Sequence, residues 1–196
     1  TDSPCLKIKP GPCSITADGY VKVNVEIYGG AILHTWFDRP LAVAGRLIVK
    51  EKGALREKLI RMDKPVFMLP SLCIHFHKDV NEKGSYNKQT DMLPLLCMKE
   101  EDVEKEDYLF DLIREETKTK KKDIVDYELF LYEYQKGLFT GKNQEFISAS
   151  RLDDLSMVYA GLCALTQADR RTGCQVFAAF DNEEVGSTTA QGANSG

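Results

Sequence analysis

The chain has 196 residues, 43% of them hydrophobic and 29% charged, with a formal net charge of −4. That length supports one good core, or a core plus a smaller domain, and the acidic balance argues against the basic footprint of a nucleic-acid partner. No stretch is apolar for long enough to span a membrane and no signal peptide is visible, so the expectation is a soluble, cytoplasmic protein with neither nucleic acid nor membrane as partner.

Residues 20–28 alternate apolar and polar at period two, which predicts a half-buried strand ended by Gly29-Gly30. Leu41–Glu51 and Leu55–Met62 read as a strand pair joined by a tight turn at Lys52-Gly53. Leu72–His77 reads as a further short strand, and 81–87 as a polar loop. With no helical pattern between them, residues from about 13 to 90 suggest an antiparallel β unit. Val103, Tyr108, Leu109, Leu112 and Ile113 then recur at helical spacing within 100–117. Tyr127–Tyr134 alternates as a strand. Leu152, Leu155, Val158, Leu162 and Leu165 predict an amphipathic helix over 151–167, and the apolar run Cys174–Phe180 a buried strand after it. Strand, helix, strand is the pattern of an α/β layer with a parallel sheet.

The six cysteines (5, 13, 73, 97, 163 and 174) contain no Cys-x-x-Cys, and most sit in apolar runs. Buried free thiols in a reducing compartment fit them better than a disulfide frame or a structural zinc site. The basic cluster Lys118, Lys120, Lys121 and Lys122 follows an acidic stretch at 100–107, and both read as solvated surface. The chain opens on Thr1-Asp2-Ser3-Pro4 without a Met and stops where a helix is expected after the last strand, so it reads as part of a longer polypeptide.

Chemistry concentrates in Asp181-Asn182-Glu183-Glu184-Val185-Gly186-Ser187. Adjacent carboxylates at the mouth of a strand repel unless a cation or a shared proton offsets them, and a metal centre gives each a task. Asp153-Asp154, at the head of the 151–167 helix, reads alone as a capping pair stabilised by the helix dipole; beside Glu183-Glu184 it reads equally as a second acidic pair at the functional edge of an α/β unit. His75 and His77 would share a strand face, open to a metal or to simple packing. The glycines at 29, 30 and 45 lack phosphate-loop spacing.

Thr1–Leu6, Tyr28-Gly29-Gly30 with Thr35–Arg39, Arg151–Leu155 and Asp181–Ser187 together resemble, in order and spacing, the aspartyl aminopeptidase and vacuolar aminopeptidase I family of dinuclear zinc peptidases. The resemblance implies an α/β fold: part of a phosphorylase/hydrolase-like catalytic domain with a parallel or mixed sheet (1–12 and 146–196), interrupted by an inserted β-rich dimerisation domain (13–145). It implies two zinc ions per subunit in the complete protein, and homo-oligomers up to dodecamers built through the inserted domain. The implied activity is removal of N-terminal residues from peptides with a free N-terminus.

By position, Asp153 resembles the carboxylate bridging both metals, joined to Asp154 by a cis peptide. Glu183 resembles the general base and Glu184 a zinc ligand. Asp2 resembles the acid that orients a ligating histidine, and His75 a histidine reaching the active site of a neighbouring subunit. The family's first zinc histidine would directly precede Thr1, and further Asp and His ligands would follow Gly196, so the chain alone is expected to be inactive and metal-poor. Pro40 stands where the family has an acid, and His34 where it has small or polar residues. A different reading makes the chain an assembly module without chemistry of its own.

Overall fold

The computed structural model describes residues 1–105, 107–169 and 173–196; Glu106, inside the helix expected over 100–117, lies outside them. The chain divides into two compact units, the larger formed by 5–27 and 32–135 and the smaller by 1–4, 28–31 and 136–196.

The larger unit is built on β1 (Cys5–Ile15), β2 (Tyr20–Tyr28), β3 (Pro40–Glu51), β4 (Ala54–Arg61), β5 (Phe67–Met68), β6 (Leu95–Met98) and β7 (Ile124–Glu133). Among the described residues these form one seven-stranded sheet in the order β4-β3-β5-β6-β2-β1-β7, and β7 pairs back onto β3. The sheet therefore closes on itself. β3 makes this possible by its length: it pairs with β7 from Leu41 to Val49, and with β5 and then β4 along its other edge. Closure leaves few open edges to attract stray strands.

Period-two alternation aims one set of side chains inward. Leu6 and Ile8, Val21, Val23 and Val25, Leu41, Val43, Leu47 and Val49, and Leu129 and Leu131 all fall in one buried cluster. Helix α1 (Asp107–Thr117) joins this cluster through Leu109 and Ile113, four residues apart on one face. Fully burying a side chain of this size is worth about 1.5–3 kcal/mol relative to leaving it exposed.

β2 occupies the span its alternation predicts, and β3 and β4 form the expected hairpin, with Lys52 and Gly53 at φ 49° and 83°. β7 starts at Ile124, earlier than expected, and α1 starts at Asp107 rather than near 100. β1 is a strand the alternation did not announce, because Pro10-Gly11-Pro12 breaks the pattern in its middle. The strand expected over Leu72–His77 is not formed. Cys73 O instead accepts from the amides of Phe76 and His77 at 3.0 and 3.2 Å, a turn, and Leu72, Ile74 and Phe76 are exposed with no sheet to cover them. His75 and His77 therefore share no strand face.

In the smaller unit, β8 (Leu138–Thr140) pairs antiparallel with β9 (Phe146–Ser148), and α2 runs Leu152–Gln167. Cys174–Phe180 is not a strand either. A ladder needs a partner as well as a suitable composition, and Phe177 of this run instead packs against Gly161 of α2, where an added Cβ would fall 2.4 Å from its Cε2. Among the described residues no cysteine is in a disulfide, and Cys13 alone of the six is buried. Among the described residues no helix is long and apolar enough to cross a membrane.

Candidate functional site

Five of the residues singled out from the sequence, Asp2, Asp153, Asp154, Glu183 and Glu184, belong to the smaller unit; His75 belongs to the larger one, on the turn after Cys73. The first three residues tie the acidic segments together. Thr1 N lies 2.8 Å from Phe180 O and 3.0 Å from Asp154 Oδ2. Ser3 Oγ donates to Asp153 O at 2.8 Å. Between them, Asp2 turns to the 181–187 loop: its Oδ1 accepts from the amide of Glu183 at 3.0 Å and its Oδ2 from that of Glu184 at 3.4 Å.

That loop is shaped by its own residues. Asn182 sits in the left-handed region (φ 60°), which Asn adopts more readily than most residues. Glu183–Val185 forms a single 3₁₀ turn, and Asn182 O accepts from the amide of Ser187 at 2.9 Å. The two glutamates then part company. Glu184 is half-buried and its Oε2 accepts from the amide of Gly30 at 3.1 Å, whereas the Glu183 side chain is exposed. Gly29 makes the approach to Glu184 possible: at φ 72°, a Cβ there would lie 2.7 Å from both Cβ and Oε2 of Glu184.

Asp153 has φ −86° and ψ 119°, outside helical space, and the Asp153–Asp154 peptide is cis. The N-cap residue, Arg151, is left-handed at φ 59°, and no side chain caps the helix. The pair is thus not a simple helix cap. Asp153 is exposed; Asp154 is half-buried, and its Oδ1 is fully buried without a hydrogen-bond partner.

Two residues that lie within the motifs but were given no role there, Tyr28 and Asn182, complete the arrangement. The Tyr28 hydroxyl donates to Asp2 Oδ2 in a short hydrogen bond and accepts from Asn182 Nδ2 at 2.9 Å. Thr189 Oγ1 donates to Asn182 Oδ1 at 2.6 Å. Burial works to raise the Asp2 carboxyl, but the hydrogen bonds from Tyr28 and from the amides of Glu183 and Glu184 outweigh it and hold Asp2 below its ordinary value. Burial, then the bond to Asp2, pushes the Tyr28 phenol above its own. At neutral pH Asp2 is the acceptor and Tyr28 the donor. The sequence signal for Tyr28 was its place in the Tyr-Gly-Gly end of β2; nothing in composition singles out Asn182.

Carboxylates at Asp153 and Glu184, with the orphaned Asp154 oxygen nearby in sequence, are the hard donors a divalent cation takes. They fall short in number. Among the described residues no three of His, Cys, Asp and Glu converge, whereas a catalytic zinc has about three protein ligands. The donors suit a metal in kind and do not complete a site.

The profile of the family described as aminopeptidase I zinc metalloprotease (M18) matches residues 1–196. A probable M18 family aminopeptidase 2 of Clostridium acetobutylicum is 49% identical over 197 residues, covering 100% of this chain and 46% of the relative. Among solved structures, the complex of Ape4 and Nbr1 matches with a TM-score of 0.89 at 36% identity, over 100% of this chain and 41% of that one. The S. cerevisiae mApe1 dodecamer matches with a TM-score of 0.74 at 29% identity, over 98% and 44%. The chain thus spans less than half the length of each of these proteins.

Proposed function

The chain belongs to the M18 aminopeptidase I zinc metalloprotease family, and from that premise we propose that it contributes the proton-handling half of an aminopeptidase active site. The supporting observation is the unequal setting of the paired glutamates. Glu184 is anchored on the Gly30 amide while Glu183, next to it, is exposed. In the whole protein Asp153 and Glu184 would hold zinc, and Asp2 and Asp154 would orient the groups around it. Zinc bound there would supply an acidified water and polarise the scissile carbonyl. Glu183 accepts a proton at its carboxylate and returns it to the leaving amine, a role worth about 10²–10⁴-fold in rate. The substrate is a peptide with a free N-terminus.

On this reading the smaller unit is part of a phosphorylase/hydrolase-like catalytic domain. The larger is an inserted β-rich domain through which copies assemble, and the dodecamer of the related mApe1 supports assembly. The exposed turn carrying Leu72, Ile74, His75 and Phe76 is the part of the larger unit suited to reach a neighbouring subunit, with His75 entering its site. Cysteines outside disulfides suit the reducing cytoplasm. The match of the whole chain to an enzyme family does not favour an assembly module without chemistry.

The test is hydrolysis of an N-terminal aminoacyl amide by the whole protein. Glu183→Gln abolishes it while zinc stays bound; loss of zinc together with activity would make Glu183 a ligand instead. The 196-residue chain alone binds zinc weakly, and stoichiometric binding at submicromolar concentration would overturn that part.

A further inference from the structure

We propose that Tyr28 is a positioning residue for the hydrolytic reaction, holding Asp2 so that the Asn182–Glu183 peptide, and with it Glu183, is set for proton transfer. This rests on the reading of Glu183 as the general base.

The geometry is a closed ring of bonds. From the Tyr28 hydroxyl it passes to Asp2 Oδ2, through the carboxylate to Oδ1 and the amide of Glu183, back one residue along the chain to Asn182, and from Asn182 Nδ2 to the Tyr28 oxygen again. A carboxylate held at one oxygen can swing about its side-chain torsions. Held at both, with different partners on each, it cannot, and the peptide plane that donates to it is fixed too. Asn182 is steadied from behind by Thr189.

Tyr28 is well placed for this because it ends β2, and the two residues after it reach the neighbouring glutamate. Gly30 donates to Glu184 and Gly29 gives it room. One short stretch, Tyr28-Gly29-Gly30, thus sets both members of the pair by separate contacts: the phenol acts on Glu183 through Asp2, and the glycines act on Glu184 directly. The two contacts are separable by mutation.

Tyr28→Phe in the whole protein keeps the ring's apolar body and opens the circuit at both of its bonds. The expected result is a fall in kcat of about 10–100-fold, since small misplacements of a reacting group cost that much. KM should stay within about twofold because uniform binding is untouched, and zinc content should stay at the wild-type value. Gly29→Ala acts on the other arm: it displaces Glu184, so zinc is lost along with activity. Asn182→Gly keeps the left-handed backbone and removes the donor to Tyr28, and it lowers kcat in the same direction with zinc retained.

An unchanged kcat in Tyr28→Phe overturns the proposal, and so does a loss of zinc in proportion to the loss of activity. If Tyr28→Phe does not fold, Asn182→Gly decides on the same criteria. A wild-type protein that cleaves no aminoacyl amide, or a Glu183→Gln variant with full activity, would instead sink the functional reading itself.

Discussion

The two units hold themselves together by different means. The larger contains every buried hydrophobic side chain among the described residues, from Leu6 to Leu131, on the closed sheet, on α1 and on connecting segments at Met62, Leu69 and Met92. In the smaller, none is buried. α2 leaves Leu152, Leu155, Met157, Tyr159 and Leu162 exposed, and β8 and β9 expose Leu138, Phe139, Phe146 and Ile147. What organises the smaller unit is polar: the Thr1–Ser3 strap, the Asp2 carboxylate and the ring through Tyr28 and Asn182. A barrel can be complete by itself, whereas a helix apolar on most sides is built to be covered. The difference separates a part that carries its own stability from a part that carries the candidate site and leaves its apolar faces uncovered.

The largest expected effect tests the barrel. Leu131 is fully buried and pairs with both Leu6 of β1 and Val43 of β3. Leu131→Ala should cost about 2–5 kcal/mol of stability in denaturant unfolding of the chain. A loss below about 1 kcal/mol would mean the closed sheet is not the stabilising element. Gly45→Ala comes next. Gly45 faces β7 so closely that a Cβ would lie 2.0 Å from Glu128 O, and forcing the strands apart should cost about 1–3 kcal/mol. Wild-type stability in that variant would show that β3 and β7 can separate without penalty.

The smaller unit gives the opposite result. Leu155 is 42% exposed, so Leu155→Ala in this chain should shift stability by no more than about 0.5 kcal/mol. In the whole protein, if the remaining sequence covers α2, the same substitution should approach the cost of a core truncation, about 2–5 kcal/mol. An effect in the isolated chain as large as that of Leu131→Ala would erase the distinction between the units.

Legibility in the sequence follows the same division. β2, the β3–β4 hairpin, α1 and α2 could be read because each has a period set by what it buries or by its own turn. β1 was hidden by Pro10-Gly11-Pro12, residues a strand tolerates at an irregular point but which erase alternation. Leu72–His77 and Cys174–Phe180 were misread for one reason: apolar β-formers announce a strand only when a partner strand is present, and composition cannot supply the partner. At the site, family motifs pointed to Asp2, Asp153, Glu183 and Glu184, and the structure brings the Asp2 carboxylate onto the amides of both glutamates. Tyr28 and Asn182 were not legible, because their roles depend on a contact between residues 154 positions apart.

The smallest expected effect draws a line inside the larger unit, between its closed sheet and the exposed turn that carries His75. Asp38, itself left-handed at φ 57°, accepts from the Ser71 amide through Oδ1 at 2.8 Å, and its own amide donates to Leu69 O at 2.8 Å. These bonds tether the start of the turn. The bond from the Ser71 amide, followed by that from its side chain, holds the Asp38 carboxyl below its ordinary value. A carboxyl whose folded value is depressed contributes stability that is fully present above its unfolded value, about 3.9, and lost as pH falls through the folded one. The Ser71 amide resonance should therefore titrate with a midpoint below about 3.9, while those of Val43 and Leu131 stay still. Asp38→Asn keeps an acceptor and removes the charge, so the Ser71 titration should vanish with the turn still tethered. A midpoint at or above the ordinary aspartate value, or a titration that persists in Asp38→Asn, would show that the Asp38 carboxylate does not hold the turn. Because the group is largely solvated, the effect should be local: a loosened His75 turn on an unchanged barrel, which is the behaviour expected of a contact surface mounted on a self-sufficient frame.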